Sequence, residues 1–102
     1  MTKEIERRIP ALGGQAAEGD PIVHLKLFDP CGRWTYYATE YDPEQRMLYG
    51  YCISAFGGDY DEWGYASLYE IEAVRNRFGL GIERDLWFKP CHISELHRKA
   101  VA

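Results

Sequence analysis

Three consecutive residues near the C-terminal end, Glu83, Arg84 and Asp85, form the polar cluster with the most varied chemistry in the chain. On an extended strand, alternation places the two carboxylates on one face and the guanidinium on the other. A guanidinium binds carboxylates and phosphates through a planar pair of donors. The carboxylate pair and the guanidinium could therefore bind two different partners. A structural ion pair, such as Arg84 with Glu40 or Glu70, is the favoured interpretation, and a binding site is the alternative.

A second acidic cluster, Asp59, Asp61 and Glu62, follows two glycines. A calcium loop needs further oxygen ligands and a distal bidentate glutamate, and a general acid needs burial that raises its pKa. The sequence shows neither feature. A solvated acidic loop is therefore the favoured interpretation.

Motifs for metal binding and covalent catalysis are weaker still. His92 and His97 are five positions apart, whereas ligands on one helix face need a spacing of about three or four. The three cysteines, Cys31, Cys52 and Cys91, contain no CxxC pair and indicate free thiols. No serine or cysteine lies in a nucleophile elbow. We therefore expect no catalytic residue, no metal and no cofactor.

Aromatic residues make up 15% of the chain and interleave with carboxylates in its middle third. Residues 34–74 carry eight acidic side chains against Arg46 alone, whereas residues 75–102 carry a net charge of +3. Such an acidic aromatic block is typical of a protein-contact surface, and it repels a polyphosphate backbone. With the 83–85 triplet, the hypothetical binding residues are Trp34, Tyr36, Glu40, Asp59, Tyr60, Asp61, Glu62 and Trp63.

The elements that position these residues are mostly strands. Ile22–Asp29 alternates apolar and polar residues, and turn residues at 29–32 and 42–45 separate it from two further strands, 34–41 and 47–56. Short loops between successive strands predict hairpins and antiparallel pairing. Residues 63–66 are a candidate fourth strand, and 86–88 a short extended segment.

Helices are predicted at three places. Ser67 and Glu70 form a capping box that starts a helix running to about Arg77. A short helix over residues 2–8 is halted by Pro10, and Ser94 is a candidate cap for a terminal helix. The predicted fold class is α+β, a curved antiparallel sheet of four to five strands with one main packed helix and short terminal helices. Residues 1–20 are predicted as a short helix and a mobile segment, and 21–102 as a single domain.

The order of motifs resembles a family catalogued as domain of unknown function 2958. The matching segments are Pro21–Val23, Lys26–Phe28, Trp34–Tyr41, Gly64–Leu68 and, most strongly, Phe78–Pro90. The resemblance implies no activity. It does imply a bacterial protein of a mobile genetic element, such as a plasmid or phage.

These observations favour a non-enzymatic accessory or interaction protein of a mobile element. We expect a basic or nucleic-acid-binding protein partner, as an anti-defence role would require, docked on the acidic aromatic surface. The alternative is a single-stranded nucleic-acid-binding module of plasmid or phage maintenance, because aromatic residues on a sheet can stack bases. Tight nucleic-acid binding is not expected at a net charge of −4. The absence of a long apolar run and of an apolar N-terminal segment predicts a cytoplasmic protein without membrane contact. The oligomeric state is left open.

Overall fold

The computed structural model describes residues 3–15, 19–54, 61–75 and 79–96. In chain order the elements are α1 (Lys3–Arg8), β1 (Ile22–Val23), β2 (Leu25–Phe28), β3 (Thr35–Asp42), β4 (Met47–Ile53), β5 (Glu62–Ser67), α2 (Leu68–Ala73), β6 (Glu83–Arg84), β7 (Cys91–His92) and a 3₁₀ helix (Ile93–Glu95).

The main sheet has five strands in the order β5-β4-β3-β2-β6, and every described pair is antiparallel. A separate antiparallel pair joins β1 to β7. The sheet is open, because β5 and β6 lie at its two edges. The α+β class and the antiparallel sheet of four to five strands are thus confirmed. The hairpins from β2 to β4 follow from the turn residues between them.

Both faces of the sheet are packed. Face A, as we call it, bears the larger cluster, which includes Leu25, Tyr36 and Leu48 from the strands together with Ile5 and Ile9 from the N-terminal segment. Face B bears a smaller cluster of Val23, Tyr37, Tyr51 and Ile93. Alternation along β3 explains the division, because Tyr36 and Tyr37 are consecutive and point to opposite faces.

The prediction of one main packed helix from Ser67 to about Arg77 is wrong in two respects. The helix is shorter than predicted, and it contributes few residues to the core. Ser67 is the N-cap and accepts a hydrogen bond from the Glu70 backbone N–H at 3.4 Å, as the capping box predicts. However, α2 has six residues and ends where Val74 turns to extended backbone, with ψ of 134°. A helix this short buries only Leu68 and Ile71, so the sheet supplies most of the core. In the part of the chain that the structure describes, no helix is long and apolar enough to cross a membrane.

The N-terminal segment packs on the same core as the strands. Ile5 is 5% and Ile9 is 6% exposed. Beyond α1, the Pro10 carbonyl accepts a hydrogen bond from the Tyr41 N–H at 2.9 Å. The predicted boundary at residue 20 therefore separates two parts of the sequence that share one hydrophobic cluster. The mobility predicted for this segment stays a prediction.

The C-terminal segment also differs from the prediction. Residues 86–88, predicted to be extended, lie in a turn after β6. A 3₁₀ helix, Ile93–Glu95, has His92 as its N-cap, and the helix that Ser94 is predicted to cap, through Lys99, extends into residues outside the described ones. Ser94 donates to Asp20 from its backbone N–H at 3.0 Å and from its hydroxyl at 2.6 Å.

Candidate functional site

Two of the predicted surface residues lie inside the fold. Tyr36 is 2% exposed, and its hydroxyl donates to the Gly64 carbonyl at 2.6 Å. Burial raises the pKa of this phenol. Glu40 is 5% exposed, and its two oxygens accept from the backbone N–H groups of Gly13 and Gln15 at 2.7 and 2.9 Å. The Glu40 contacts hold residues 13–15 of the N-terminal segment against β3. Because both side chains are buried, neither Tyr36 nor Glu40 is available to a partner.

Of the described acidic side chains in the predicted acidic loop, one is buried and one is exposed. Asp59 and Tyr60 lie outside the described residues. The Asp61 side chain is 2% exposed, accepts from the Ser54 N–H at 2.7 Å and lies 3.3 Å from Arg33 Nη2. Glu62 is exposed at the start of β5. Asp61 therefore fixes the end of β4 from within the fold, whereas Glu62 remains accessible.

The predicted aromatic residues are divided between the two faces of the sheet. Trp34 stacks on Tyr36 with ring centroids 6.0 Å apart, against the face A cluster. Trp63 packs on face B, where it stacks on Tyr49 at 5.8 Å. Tyr49 in turn contacts Tyr65 at 4.9 Å. We call Trp63, Tyr49 and Tyr65 the aromatic ladder, and Tyr65 is 68% exposed.

The 83–85 triplet lies at the opposite edge of the sheet from the aromatic ladder. Glu83 pairs with Phe28, and Arg84 pairs with Leu27. Glu83 is exposed, and Arg84 is half-buried. Within the described residues, Arg84 forms no ion pair, so the predicted bridge to Glu40 or Glu70 is absent there.

Asp85 fixes a turn that follows β6. Its backbone N–H donates to the Lys26 carbonyl at 3.0 Å, and its Oδ2 lies 3.8 Å from Lys26 Nζ. Its Oδ1 accepts from the Trp87 N–H at 3.0 Å, and its carbonyl accepts from the Phe88 N–H at 3.3 Å. Phe88 packs against the face B cluster. We call residues 85–88 the Trp87 turn.

The Trp87 turn displays two large apolar side chains to solvent. Trp87 is 91% exposed and Leu86 is 71% exposed. Both are held between Asp85, which is attached to β2, and Phe88, which is attached to the core. Because both ends of the turn are fixed, the display of Trp87 is a property of the fold and not of a loose loop.

A cleft of about 340 Å³ adjoins this turn. Its walls come from α1, from β2 and from the end of β6, and the residues that line it are Glu4, Ile5, Arg8, His24, Leu25, Lys26, Arg84, Asp85, Leu86 and Phe88. Arg8 Nη2 donates to the His24 carbonyl at 3.3 Å. Burial, and then the charge of Arg8, lower the pKa of His24. The cleft thus contains two guanidinium groups and an imidazole with a lowered pKa, and the exposed side chain of Leu86 forms part of its wall.

Sequence reasoning missed most of this site. It singled out Arg84 and Asp85 but not Arg8, His24, Leu86 or Trp87. The Asp-x-Trp spacing carries one usable signal, because an aspartate often accepts from the N–H two residues later in a turn. Nothing in the sequence signals that α1 brings Arg8 to the same cleft.

The other candidate for chemistry, Asp20, His92 and Ser94, is a structural contact. Ser94 donates directly to Asp20 Oδ2 at 2.6 Å, and these bonds lower the pKa of Asp20. His92 Nδ1 lies 2.6 Å from the Asp20 carbonyl oxygen. A nucleophilic serine is activated by an adjacent base, most often histidine, whereas here the Ser94 hydroxyl donates to the Asp20 carboxylate.

Among the described residues, no group of three or more His, Cys, Asp or Glu side chains could hold a metal ion. Cys91 and His92 form β7, and His97 lies outside the described residues. Burial raises the pKa of the Cys52 and Cys91 thiols, which disfavours the reactive thiolate. Among the described residues that line the cleft beside the Trp87 turn there is no serine, threonine or cysteine.

Comparison with known proteins identifies the family. A family sequence model described as "Protein of unknown function (DUF2958)" matches residues 1–101. The chain belongs to this family. No curated protein and no solved structure matches it significantly. The match covers α1 as well as the strands, so both walls of the cleft lie within the family's domain.

Proposed function

We propose that this DUF2958 protein is a non-enzymatic interaction protein that binds a partner protein through the Trp87 turn and the adjoining cleft. The observation that supports this most is the 91% exposure of Trp87 beside Leu86 at 71%. Tryptophan is the residue type most enriched among those that dominate binding energy at protein interfaces. Water contact with so much apolar surface is unfavourable, and a partner would relieve it.

The fixed geometry of the turn supports the same function. Association costs free energy when loops and side chains must be ordered, and a turn that is already ordered avoids part of that cost. The hydrogen bonds of Asp85 and the packing of Phe88 order this turn before any partner arrives. A folded turn that presents two apolar side chains is therefore a favourable anchor.

The acidic aromatic surface supports an interface less well. Glu40 and Asp61 satisfy internal backbone N–H groups, and Tyr36 is in the core. We therefore centre the interface on the Trp87 turn. A basic partner for exposed carboxylates such as Glu62 and Glu83 stays a prediction. The accessory role on a mobile element, with an anti-defence function, belongs to the same proposal.

One observation favours the second candidate, single-stranded nucleic-acid binding. The aromatic ladder offers stacked rings on an accessible part of face B, and bases stack on such rings. However, known stacking platforms lie in basic grooves. The strands β3, β4 and β5 carry no lysine or arginine. The ladder therefore lacks the cations that hold phosphates.

The test of the proposed function is a selection of displayed random peptides on the wild-type protein. Each enriched peptide is then titrated against Trp87→Ser and against Tyr69→Ser. Tyr69 is the matched control, because it is 62% exposed and lies on α2, away from the cleft. We expect Trp87→Ser to weaken binding by at least about tenfold, as for an interface anchor. Tyr69→Ser should bind as the wild type does. Failure to enrich any peptide, or equal binding by both variants, would contradict the proposed function.

A further inference from the structure

The cleft beside the Trp87 turn contains two guanidinium groups without an ion pair in the part of the chain that the structure describes. Among the described residues, neither Arg8 nor Arg84 forms an ion pair. Lys26 differs, because Asp85 lies 3.8 Å from its ammonium group. Arg8 is held in place by its hydrogen bond to the His24 carbonyl. Two guanidinium groups that line one cleft can together bind an anionic oxygen pair, and one of them, Arg8, is already held in place.

His24, which also lines the cleft, has an unsatisfied polar atom. Its Nδ1 is buried and has no hydrogen-bond partner within the described residues. Such an unpartnered polar atom costs free energy and calls for a functional explanation. Burial, and then the charge of Arg8, lower the pKa of His24, so an anion placed near Arg8 would raise this pKa.

The charge of the cleft distinguishes between kinds of anion. Its lining carries three cations, Arg8, Lys26 and Arg84, and two carboxylates, Glu4 and Asp85, for a net charge of +1. One carboxylate balances this charge. A phosphate group carries about −1.5 to −2 at neutral pH and would leave the occupied cleft with a net negative charge. The charge count therefore favours a carboxylate ligand.

We propose that the cleft binds the carboxylate of an aspartate or glutamate in the partner's segment, with the neighbouring apolar residue of that segment on Leu86 and Trp87. This proposal rests on the proposed function, because it names the chemistry of the segment that the Trp87 turn receives. The carboxylate site and the apolar site are adjacent, since Leu86 belongs both to the Trp87 turn and to the wall of the cleft. A partner segment would then combine an acidic residue with an apolar one.

The test uses small probes that cannot reach Trp87. Acetate, acetamide and inorganic phosphate are titrated into the isotope-labelled protein at constant ionic strength, while the side-chain N–H signals of Arg8 and Arg84 and the pKa of His24 are followed by NMR. We expect acetate to shift both arginine signals and to raise the His24 pKa. Acetamide should shift neither, and phosphate should bind more weakly than acetate.

Matched variants identify the groups responsible. Arg84→Gln should weaken acetate binding by about tenfold, because a charge-assisted pair of hydrogen bonds is lost. Arg75→Gln is the control, since Arg75 is exposed and donates to the carbonyls of Glu72 and Val74. Arg8→Gln serves as the second cleft variant if Arg84→Gln does not fold. The His24 pKa is read in each variant, because Arg8, Glu4, Lys26, Arg84 and Asp85 all line the same cleft.

The outcomes separate this proposal from the proposed function. Equal effects of acetate and acetamide, tighter phosphate binding, or acetate binding that persists in both cleft variants would overturn the carboxylate site. Acetate binding is read in the wild-type protein and does not depend on contact with Trp87, which is not among the residues that line the cleft. If acetate binds as expected while no displayed peptide depends on Trp87, the carboxylate site stands and the proposed function fails.

Discussion

The carboxylate of Asp85 accepts a hydrogen bond from the backbone N–H of Trp87, with 3.0 Å between Oδ1 and N. Its other oxygen lies 3.8 Å from Lys26 Nζ, which is a long ion pair between side chains about 30% exposed. A pair of this kind contributes little to stability, about 0–1 kcal/mol. The hydrogen bond to the turn is therefore the more important of the two contacts.

Replacing Asp85 in two ways separates these contacts. Asp85→Asn keeps an oxygen that can accept from the Trp87 N–H, whereas Asp85→Ala removes it. We expect Asp85→Ala to lower the free energy of unfolding by about 1 kcal/mol and to speed hydrogen exchange at Trp87. Asp85→Asn should change both by less than half as much. Equal effects of the two substitutions would show that charge, and not the turn hydrogen bond, holds this segment.

Glu40 provides the second prediction. Glu40→Gln keeps the shape of the side chain but turns one of its two acceptors into a donor that faces a backbone N–H. We expect it to lower the free energy of unfolding by about 2–3 kcal/mol, as for a lost hydrogen bond to a charged group. Chemical denaturation measures this change. Glu44→Gln, at an exposed turn position, is the control and should be neutral. A small loss at Glu40 would show that residues 13–15 do not depend on this carboxylate.

Ser67 tests whether α2, although short, depends on its cap. Ser67→Ala removes the acceptor for the Glu70 N–H and should cost about 1 kcal/mol. Ser67→Thr retains a hydroxyl and should cost less. Both values come from denaturant titrations monitored by far-ultraviolet circular dichroism. No loss in Ser67→Ala would mean that α2 is held by Leu68 and Ile71 alone.

Oligonucleotide binding tests the second candidate function. Because β3, β4 and β5 lack basic residues, we expect no submicromolar binding of single- or double-stranded DNA near 150 mM salt. Fluorescence polarisation with labelled oligonucleotides measures it. Submicromolar binding that Tyr65→Ala abolishes would instead assign the nucleic-acid function to the aromatic ladder.

Much of the sheet could be predicted from the sequence, because alternation within a strand and turn residues between strands involve only neighbouring positions. Alternation in β2 and turn residues around 29–32 and 42–45 are enough to give the hairpins. The length of α2 could not be predicted, because a capping box marks where a helix starts and packing decides where it ends. Val74 continues the apolar pattern of the helix, yet it is 45% exposed and extended.

The candidate site was less predictable because its parts meet only in the fold. The sequence does not distinguish exposed from buried acidic residues. Glu40 accepts hydrogen bonds from backbone N–H groups about 25 positions away and is therefore not part of the surface. Arg8 and Arg84 are far apart in the chain and line one cleft. The sequence pattern predicts Trp87 in an extended segment, because such a segment and a turn after a strand share the same short apolar pattern.

Site-specific photo-crosslinking tests the central claim most directly. A photoreactive phenylalanine replaces Trp87 in one variant and Tyr69 in a control, each produced in the organism that encodes the protein, and crosslinked peptides are identified by mass spectrometry. We expect a discrete protein adduct from position 87, attached beside an acidic residue of the partner and reduced in combination with Arg84→Gln. Position 69 should give none. Adducts of equal yield at both positions, or adducts at 69 but not at 87, would contradict a partner site at the Trp87 turn.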